Sequence, residues 1–329
     1  MNSNHDPPTI TVLDLPQLHE HPTFDQLQQT VNLLNKPPTS WDSSPNHDVP
    51  LIEEAGIPAY LTRLISSPLT WLADTEREAI WESASKRLSE RAGRSALPSF
   101  TRTLEVPIAH GKRIFVKIRE PGLTGDHLGH KTWGAGYVMA RLLHELQREE
   151  LDMGQDRAAG TAGRGLRILE LGAGTGLAGI AAAAVWKEAE VCLTDLPGIV
   201  ENLASNVKTN EAVIDVEKVT TGVMDWADLG PWQPESKEFN LILAADSLYA
   251  DEHPALLAGA VAASLSSQGV VFTVMPERDM HMGFHEMLRL EMDNRSLRVR
   301  EETREIGMDD WHGGRPDIFW CCTWTWKDT

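Results

Sequence analysis

Cysteine is scarce in this chain. Of 329 residues only Cys192, Cys321 and Cys322 carry a thiol, so neither a disulfide framework nor a Cys-x-x-Cys zinc pair can be assembled. Basic residues are also short, with 30 Lys and Arg against 48 Asp and Glu and a formal charge of −18. Binding a polyanion rests on clustered Lys and Arg that release its counterions, which argues against nucleic acid or a membrane surface as partner and leaves a cationic partner open. No run approaches the roughly 18 uninterrupted apolar residues of a membrane-spanning helix. The opening Met1-Asn-Ser-Asn-His-Asp-Pro-Pro has neither the basic nor the apolar segment of a secretory leader. A soluble, cytoplasmic monomer is expected, with nuclear presence left open. A Gly-x-Ser-x-Gly elbow, a phosphate-binding P-loop and internal repeats are missing as well. Tyrosine is rare, at 3 against 7 Phe and 11 Trp.

What is present suits one large domain, or a domain with an appendage. Residues 1–50 are rich in Pro, Asn, His and Asp and read as a flexible tail, with one short helix from Phe24 to Leu34 where Leu27, Val31 and Leu34 recur. Residues 51–98 read as an accessory helical region, with a capping box at Thr75-Glu-Arg-Glu78, apolar positions Ile80, Ala84 and Leu88, and a stop at Gly93. From Ser99 the period changes to two, and Phe100–Val106, a His110-Gly-Lys turn and Ile114–Ile118 predict a hairpin. A helix over 134–149 follows. Strands near 166–171, 189–194, 217–223, 239–245, 269–275, 296–303 and 317–326 then alternate with helices near 177–187, 197–209, 253–266 and 282–293. That alternation predicts an open, doubly wound α/β sheet of seven mostly parallel strands.

The most informative stretch is Arg167-Ile-Leu-Glu-Leu-Gly-Ala-Gly-Thr-Gly-Leu-Ala-Gly179. An apolar strand runs straight into Gly172, Gly174 and Gly176, whose backbone can approach a ligand at a helix N-terminus. Gly174-x-Gly176-x-x-Gly179 satisfies the dinucleotide fingerprint literally, so a nicotinamide enzyme competes. Glu170 points away from that reading, because a carboxylate there can meet an amino-acid ammonium and has no task beside a pyrophosphate. Asp195, closing the next strand, offers an acceptor to ribose hydroxyls in either case. Asp225 ends a further β-like run, where an acid can accept from an exocyclic amine.

Glu170-x-Gly172-x-Gly174-x-Gly176 with Thr194-Asp195 resembles the class I, seven-stranded S-adenosylmethionine-dependent methyltransferases. Lys131-Thr-Trp133-Gly-Ala-Gly, Asn202, Asn206, Asp225-Trp226 and Ala244-Ala245-Asp246-Ser-Leu-Tyr249 narrow the resemblance to the family 16 protein-lysine methyltransferases. It spans about residues 99–326, so 99–329 is expected to be the methyltransferase domain. Ser-Glu-Arg-x-Gly-Arg at Ser89 to Arg94 is similar to the lead-in of fungal-type members acting on translation elongation factors. The resemblance implies S-adenosylmethionine as cofactor and a lysine-bearing protein, an elongation factor, as partner. It implies that Trp133 packs near the methionine end and that Gly172, Gly174 and Gly176 line a main-chain cradle. It further places Asp195 on the ribose, Asp225 and Trp226 beside the adenine, and main chain of Ala245 beside the sulfonium.

Asn240-Leu-Ile-Leu-Ala-Ala-Asp-Ser-Leu-Tyr249 is an apolar strand ending in a polar cluster, which belongs on the same rim as the glycine loop. A lysine arrives protonated and must lose a proton before it can attack, so Asp246 suits attraction and orientation while Tyr249 offers a hydroxyl and a ring face. Ser247-Leu248 stands where transferases to adenine or glutamine amino groups carry two prolines, which lowers those acceptors. The plain alternative for Asp246 is a helix cap or turn former. His281 and His285, four apart without a third ligand, read as a surface pair, and no metal is expected. Trp320, Trp324 and Trp326 share one parity of the last strand and are expected to pack against helices. Other nitrogen acceptors, a nicotinamide dehydrogenase and a non-catalytic assembly factor docking through 52–94 remain the competing functions.

Overall fold

The computed structural model describes residues 10–35, 52–92, 99–108, 111–122, 128–153, 165–230, 239–278, 282–309 and 316–327. Two compact units divide the chain, Met1–Phe100 with Gly122–Gly125, and Thr101–Pro121 with Asp126–Thr329.

The first unit is helical. Helix α1 (Phe24–Leu33) starts at a full capping box in which Thr23 accepts from the Gln26 N–H and Gln26 accepts from the Thr23 N–H. α2 (Ile57–Ser66) carries a proline in its first turn, where a missing N–H costs nothing. α3 runs over Asp74–Ser89. The box expected at Thr75–Glu78 does not form, because the helix begins earlier. Trp71 is tied by its indole N–H to the Pro22 carbonyl at 2.9 Å, so the chain enters the helix at Asp74, and Glu76 accepts from the Ala73 N–H at 3.0 Å. Leu15, Leu27, Val31 and Leu34 are buried in one core with Ile57, Tyr60, Leu61, Leu64, Leu69, Ile80 and Ala84. Residues 10–35 therefore belong to this helical unit and not to a tail, since α1 has no other place to bury its apolar stripe. Gly93, the expected stop, lies outside the described residues.

The second unit opens with a two-stranded sheet, β1 (Phe100–Pro107) and β2 (Arg113–Glu120). Helix α4 (Gly134–Met153) follows, and then strands β3 (Arg167–Leu171), β4 (Glu190–Asp195), β5 (Val219–Val223), β6 (Phe239–Ala245), β7 (Leu265–Pro276), β8 (Leu297–Met308) and β9 (Pro316–Trp326). These seven form one sheet in the order β5-β4-β3-β6-β7-β9-β8. Only β9 runs antiparallel to its neighbours β7 and β8. The expected α/β sheet is thus present. Its central strands read as continuous apolar runs because both faces are covered. The covering helices are α4, α5 (Leu177–Val185), α6 (Pro197–Thr209), α7 (His253–Ser264) and α8 (Met282–Asn294). Every side of α5 is buried, which its Leu-Ala-Gly-Ile-Ala-Ala-Ala-Ala-Val sequence permits.

Trp320 and Trp324 are buried among α7, α8 and the central strands with Leu257, Val261, Leu288 and Met292, and Trp326 packs against the same cluster. Their shared parity therefore points into the core. His285 is buried and stacks on Trp320 with ring centroids 4.8 Å apart. The surface-pair reading of His281 and His285 fails at His285, because the tryptophan face draws that imidazole inward; His281 lies outside the described residues.

Candidate functional site

From β3 the chain proceeds through β4 to β5 on one side and through β6 to β7 on the other, so the strand order reverses between β3 and β6. Open sheets bind ligands in the crevice beyond the carboxyl ends of such strands. A cavity of about 820 Å³ opens there, lined by residues from the ends of β3, β4, β5, β6 and β7 and from the turn before α4. All of the sequence-predicted site residues line it except Gly176, which is the N-cap of α5.

The glycine loop is built from three positive φ angles, 67° at Gly172, 56° at Gly174 and 88° at Gly176. Asp195 at the end of β4 holds it, accepting from the Gly174 N–H at 2.7 Å through one oxygen and from the Leu196 N–H at 2.7 Å through the other. Burial raises the Asp195 carboxyl, against the pull of these two N–H groups and of His130. Glu170 lies at the cavity wall only 3% exposed, and its Oε2 accepts from the Gly179 N–H at 2.9 Å. Burial pushes its carboxyl up to about 8; the Gly179 N–H opposes the rise and the Asp195 charge adds to it. A Cβ on Gly179 would lie 2.0 Å from the Leu193 side chain and 2.5 Å from Glu170 Oε2, so this glycine serves the close approach of α5 to the sheet.

The turn before α4 is tied in three directions. Lys131, buried, reaches Glu120 of β2 at 3.9 Å, and Glu120 also pairs with the buried Arg102 of β1 at 3.3 Å. Thr132 shares a hydroxyl–hydroxyl bond of 2.9 Å with Thr175 of the glycine loop. Trp133 lines the cavity with the Arg278 guanidinium 5.6 Å from its ring. On the opposite wall Trp226 covers the glycine turn so closely that a Cβ on Gly172 would stand 3.2 Å from its ring. Asp225 uses Oδ1 to accept from the Ala227 N–H at 2.9 Å.

At the end of β6, Asp246 sits at φ 50°, a left-handed conformation that Asp tolerates better than most residues. It does not cap α7, whose N-cap is Glu252. Its carboxylate instead pairs with Arg278 at 3.1 Å, and the same guanidinium reaches the fully buried Asp309 at 2.9 Å. Tyr249 is 53% exposed and meets His253 edge-on at 4.1 Å. Burial raises its phenol, with the charges of Asp195 and Asp246 adding, while burial pushes the His253 imidazole down.

A lysine methyltransferase family model matches residues 113–290. Protein-lysine N-methyltransferase rrg1 of Schizosaccharomyces pombe is 32% identical over 327 residues, covering 95% of this chain and 97% of that protein. Protein-lysine N-methyltransferase EFM2 of Saccharomyces cerevisiae is 33% identical over 240 residues, 69% of this chain and 55% of that protein. This chain therefore spans little more than half the length of that relative. EEF1A lysine methyltransferase 3 of Mus musculus is 30% identical over 118 residues, 36% of this chain and 48% of that protein.

The chain belongs to the lysine methyltransferase family. It is an S-adenosylmethionine-dependent enzyme, and the nicotinamide reading of Gly174-x-Gly176-x-x-Gly179 falls. Within this family site, reasoning from sequence missed Arg278, Asp309 and His253, and the Thr132–Thr175 tie. Glu277-Arg278 directly follows an apolar strand on the ligand-binding rim, and that position was a usable signal. Asp309 carries none, because its pairing depends on where β8 ends relative to β7. Among the described residues no group of His, Cys, Asp or Glu could hold a metal.

Proposed function

We propose that the protein methylates the ε-amine of a lysine in another protein, with a translation elongation factor as the substrate. The observation that carries this reading is the Asp246–Tyr249 lip, which opens on the same cavity as the glycine loop and Trp226. The elongation factor is supported by the mouse relative named EEF1A lysine methyltransferase 3 and by the acidic balance of the chain, which suits a cationic partner.

The cavity suits the cofactor in size and chemistry. About 820 Å³ lies within the range of small-molecule sites, and its wall combines bare main chain, strand-end carboxylates and two indoles. Gly172 and Gly174 would hold the amino-acid part, with Trp133 and Glu170 near it, while Gly176 shapes the same turn from behind the wall as the N-cap of α5. Asp195 accepts from the ribose hydroxyls, and Asp225 and Trp226 flank the adenine. Ala245 lends main chain near the sulfur. When bound, S-adenosylmethionine supplies a methyl group on a sulfonium, an electrophile for in-line displacement.

The residues of this chain do the rest by attraction and placement. Asp246 draws the lysine ammonium to the lip and orients it, and the Tyr249 ring and hydroxyl bound its approach. A free lysine has a pKa of about 10.4, so one proton must leave for the nitrogen to become a nucleophile, and the open side at Tyr249 lets it pass to water. Incubating a cell lysate with the purified protein and isotope-labelled S-adenosylmethionine, followed by mass spectrometry, tests the reading. Label on lysine Nε of an elongation factor, lost with Asp246→Ala, is expected. Label on histidine or an N-terminal amine would overturn the acceptor, and label on another protein's lysine would overturn the substrate.

A further inference from the structure

Beside Asp246, the rim of the cavity carries a cation and a second carboxylate to which the proposed reaction assigns no task. Arg278, following β7, extends its guanidinium between Asp246 at the end of β6 and Asp309 at the end of β8, with the Trp133 ring beneath it. Side-chain exposures of 11% for Arg278, 6% for Asp246 and 0% for Asp309 put the triad largely out of water, where charges act on one another strongly. Together the three groups carry one net negative charge. Other charged or titratable groups line the same cavity: Glu277 after β7, paired with Arg304; Glu170 and Asp195 from β3 and β4; Asp225 after β5; Tyr249 and His253 after β6; and Lys131, paired with Glu120.

Methylation makes opposed demands on such a site. Negative charge gathers the lysine ammonium, but the more negative the site, the more firmly it holds the proton that must leave. Two bare carboxylates would bind the cation and suppress the nucleophile. A site made neutral would release the proton and bind poorly.

We propose that Arg278 is a positioning residue that sets the charge of the acceptor site, sharing its guanidinium between Asp246 and Asp309 so that a single net negative charge faces the incoming lysine. Arg278 holds Asp246 in its left-handed conformation through the same contact. The proposal rests on the lysine methyltransferase reading above.

Sinefungin tests it without a protein substrate. In this cofactor analogue an amine-bearing carbon stands in place of the methylsulfonium, so its ammonium projects toward the acceptor lip. S-adenosylhomocysteine lacks that cation and serves as the reference. The measurement is the ratio of the two affinities, by calorimetry, between pH 6.5 and 9. Arg278→Met raises the preference for sinefungin about tenfold, and Asp309→Asn lowers it about tenfold, as charge changes at this distance require. Arg278→Lys, which keeps the charge, stays within about twofold of the wild type. A purely structural Arg278 would weaken both ligands together in every variant and leave the ratio unmoved, which overturns the proposal. Shifts of the same sign in Arg278→Met and Asp309→Asn overturn it equally. Failure of the wild type to bind S-adenosylhomocysteine would instead sink the methyltransferase reading of the cavity.

Discussion

Asn206 grips both main-chain polar groups of one residue in β2: its Oδ1 accepts from the Arg119 N–H at 2.9 Å and its Nδ2 donates to the Arg119 carbonyl at 3.1 Å. One turn on, Asn210 does the same to Lys117 at 2.9 and 2.8 Å, and one turn back Asn202 donates to Arg119 at 3.2 Å. Three amides at helical spacing thus replace the missing strand partner along β2. Asn206 also donates to the Thr175 carbonyl at 2.9 Å, joining the two-stranded sheet to the glycine loop.

Asn206→Ala leaves the Arg119 and Thr175 groups without these partners, at a cost of about 1–3 kcal/mol for each one that stays buried and unpaired. The variant is expected to unfold at a clearly lower denaturant midpoint than the wild type and to bind S-adenosylhomocysteine more weakly. Asn206→Asp, which sets a buried carboxylate against the Arg119 and Thr175 carbonyl oxygens, should fall at least as far as the alanine variant. An unchanged midpoint in the alanine variant would show that this ladder does not hold β2.

Glu170 makes stability depend on pH. Its carboxyl sits near 8 in the folded protein against an ordinary value of 4.5, so between those values the folded state keeps a proton that the unfolded chain releases. Stability in the absence of cofactor therefore falls as pH rises from about 4.5 to about 8. Glu170→Gln keeps an acceptor for the Gly179 N–H and removes the titration. The wild-type Tm minus the variant Tm should decline steadily over this window in thermal scans, and a constant difference would refute the assignment.

Trp226 lines the cavity, and the proposed function puts its ring beside the adenine. Base–aromatic stacking contributes about 1–3 kcal/mol, so Trp226→Ala should weaken S-adenosylhomocysteine binding roughly 5- to 150-fold. Calorimetry reads this directly. A loss of stability with affinity intact would make Trp226 a core aromatic only.

The strand and helix alternation, the glycine loop and the acids at 170, 195, 225 and 246 were legible in the chain because each depends on neighbours within a few residues. Period-two runs, positive-φ glycines and strand-end carboxylates are local signals, and the topology of an open sheet carries them to one rim. The tertiary structure alone decided three matters. It drew α1 into the helical core, because Leu27 and Val31 needed partners from α2 and α3 that no local pattern reveals. It turned His285 inward onto Trp320, where spacing by itself suggested a surface pair. It brought Arg278 between Asp246 and Asp309, three residues from three different strand ends. Burial and pairing across the sheet arise from contacts between distant segments, and the Asp246–Arg278–Asp309 pairing follows from those contacts.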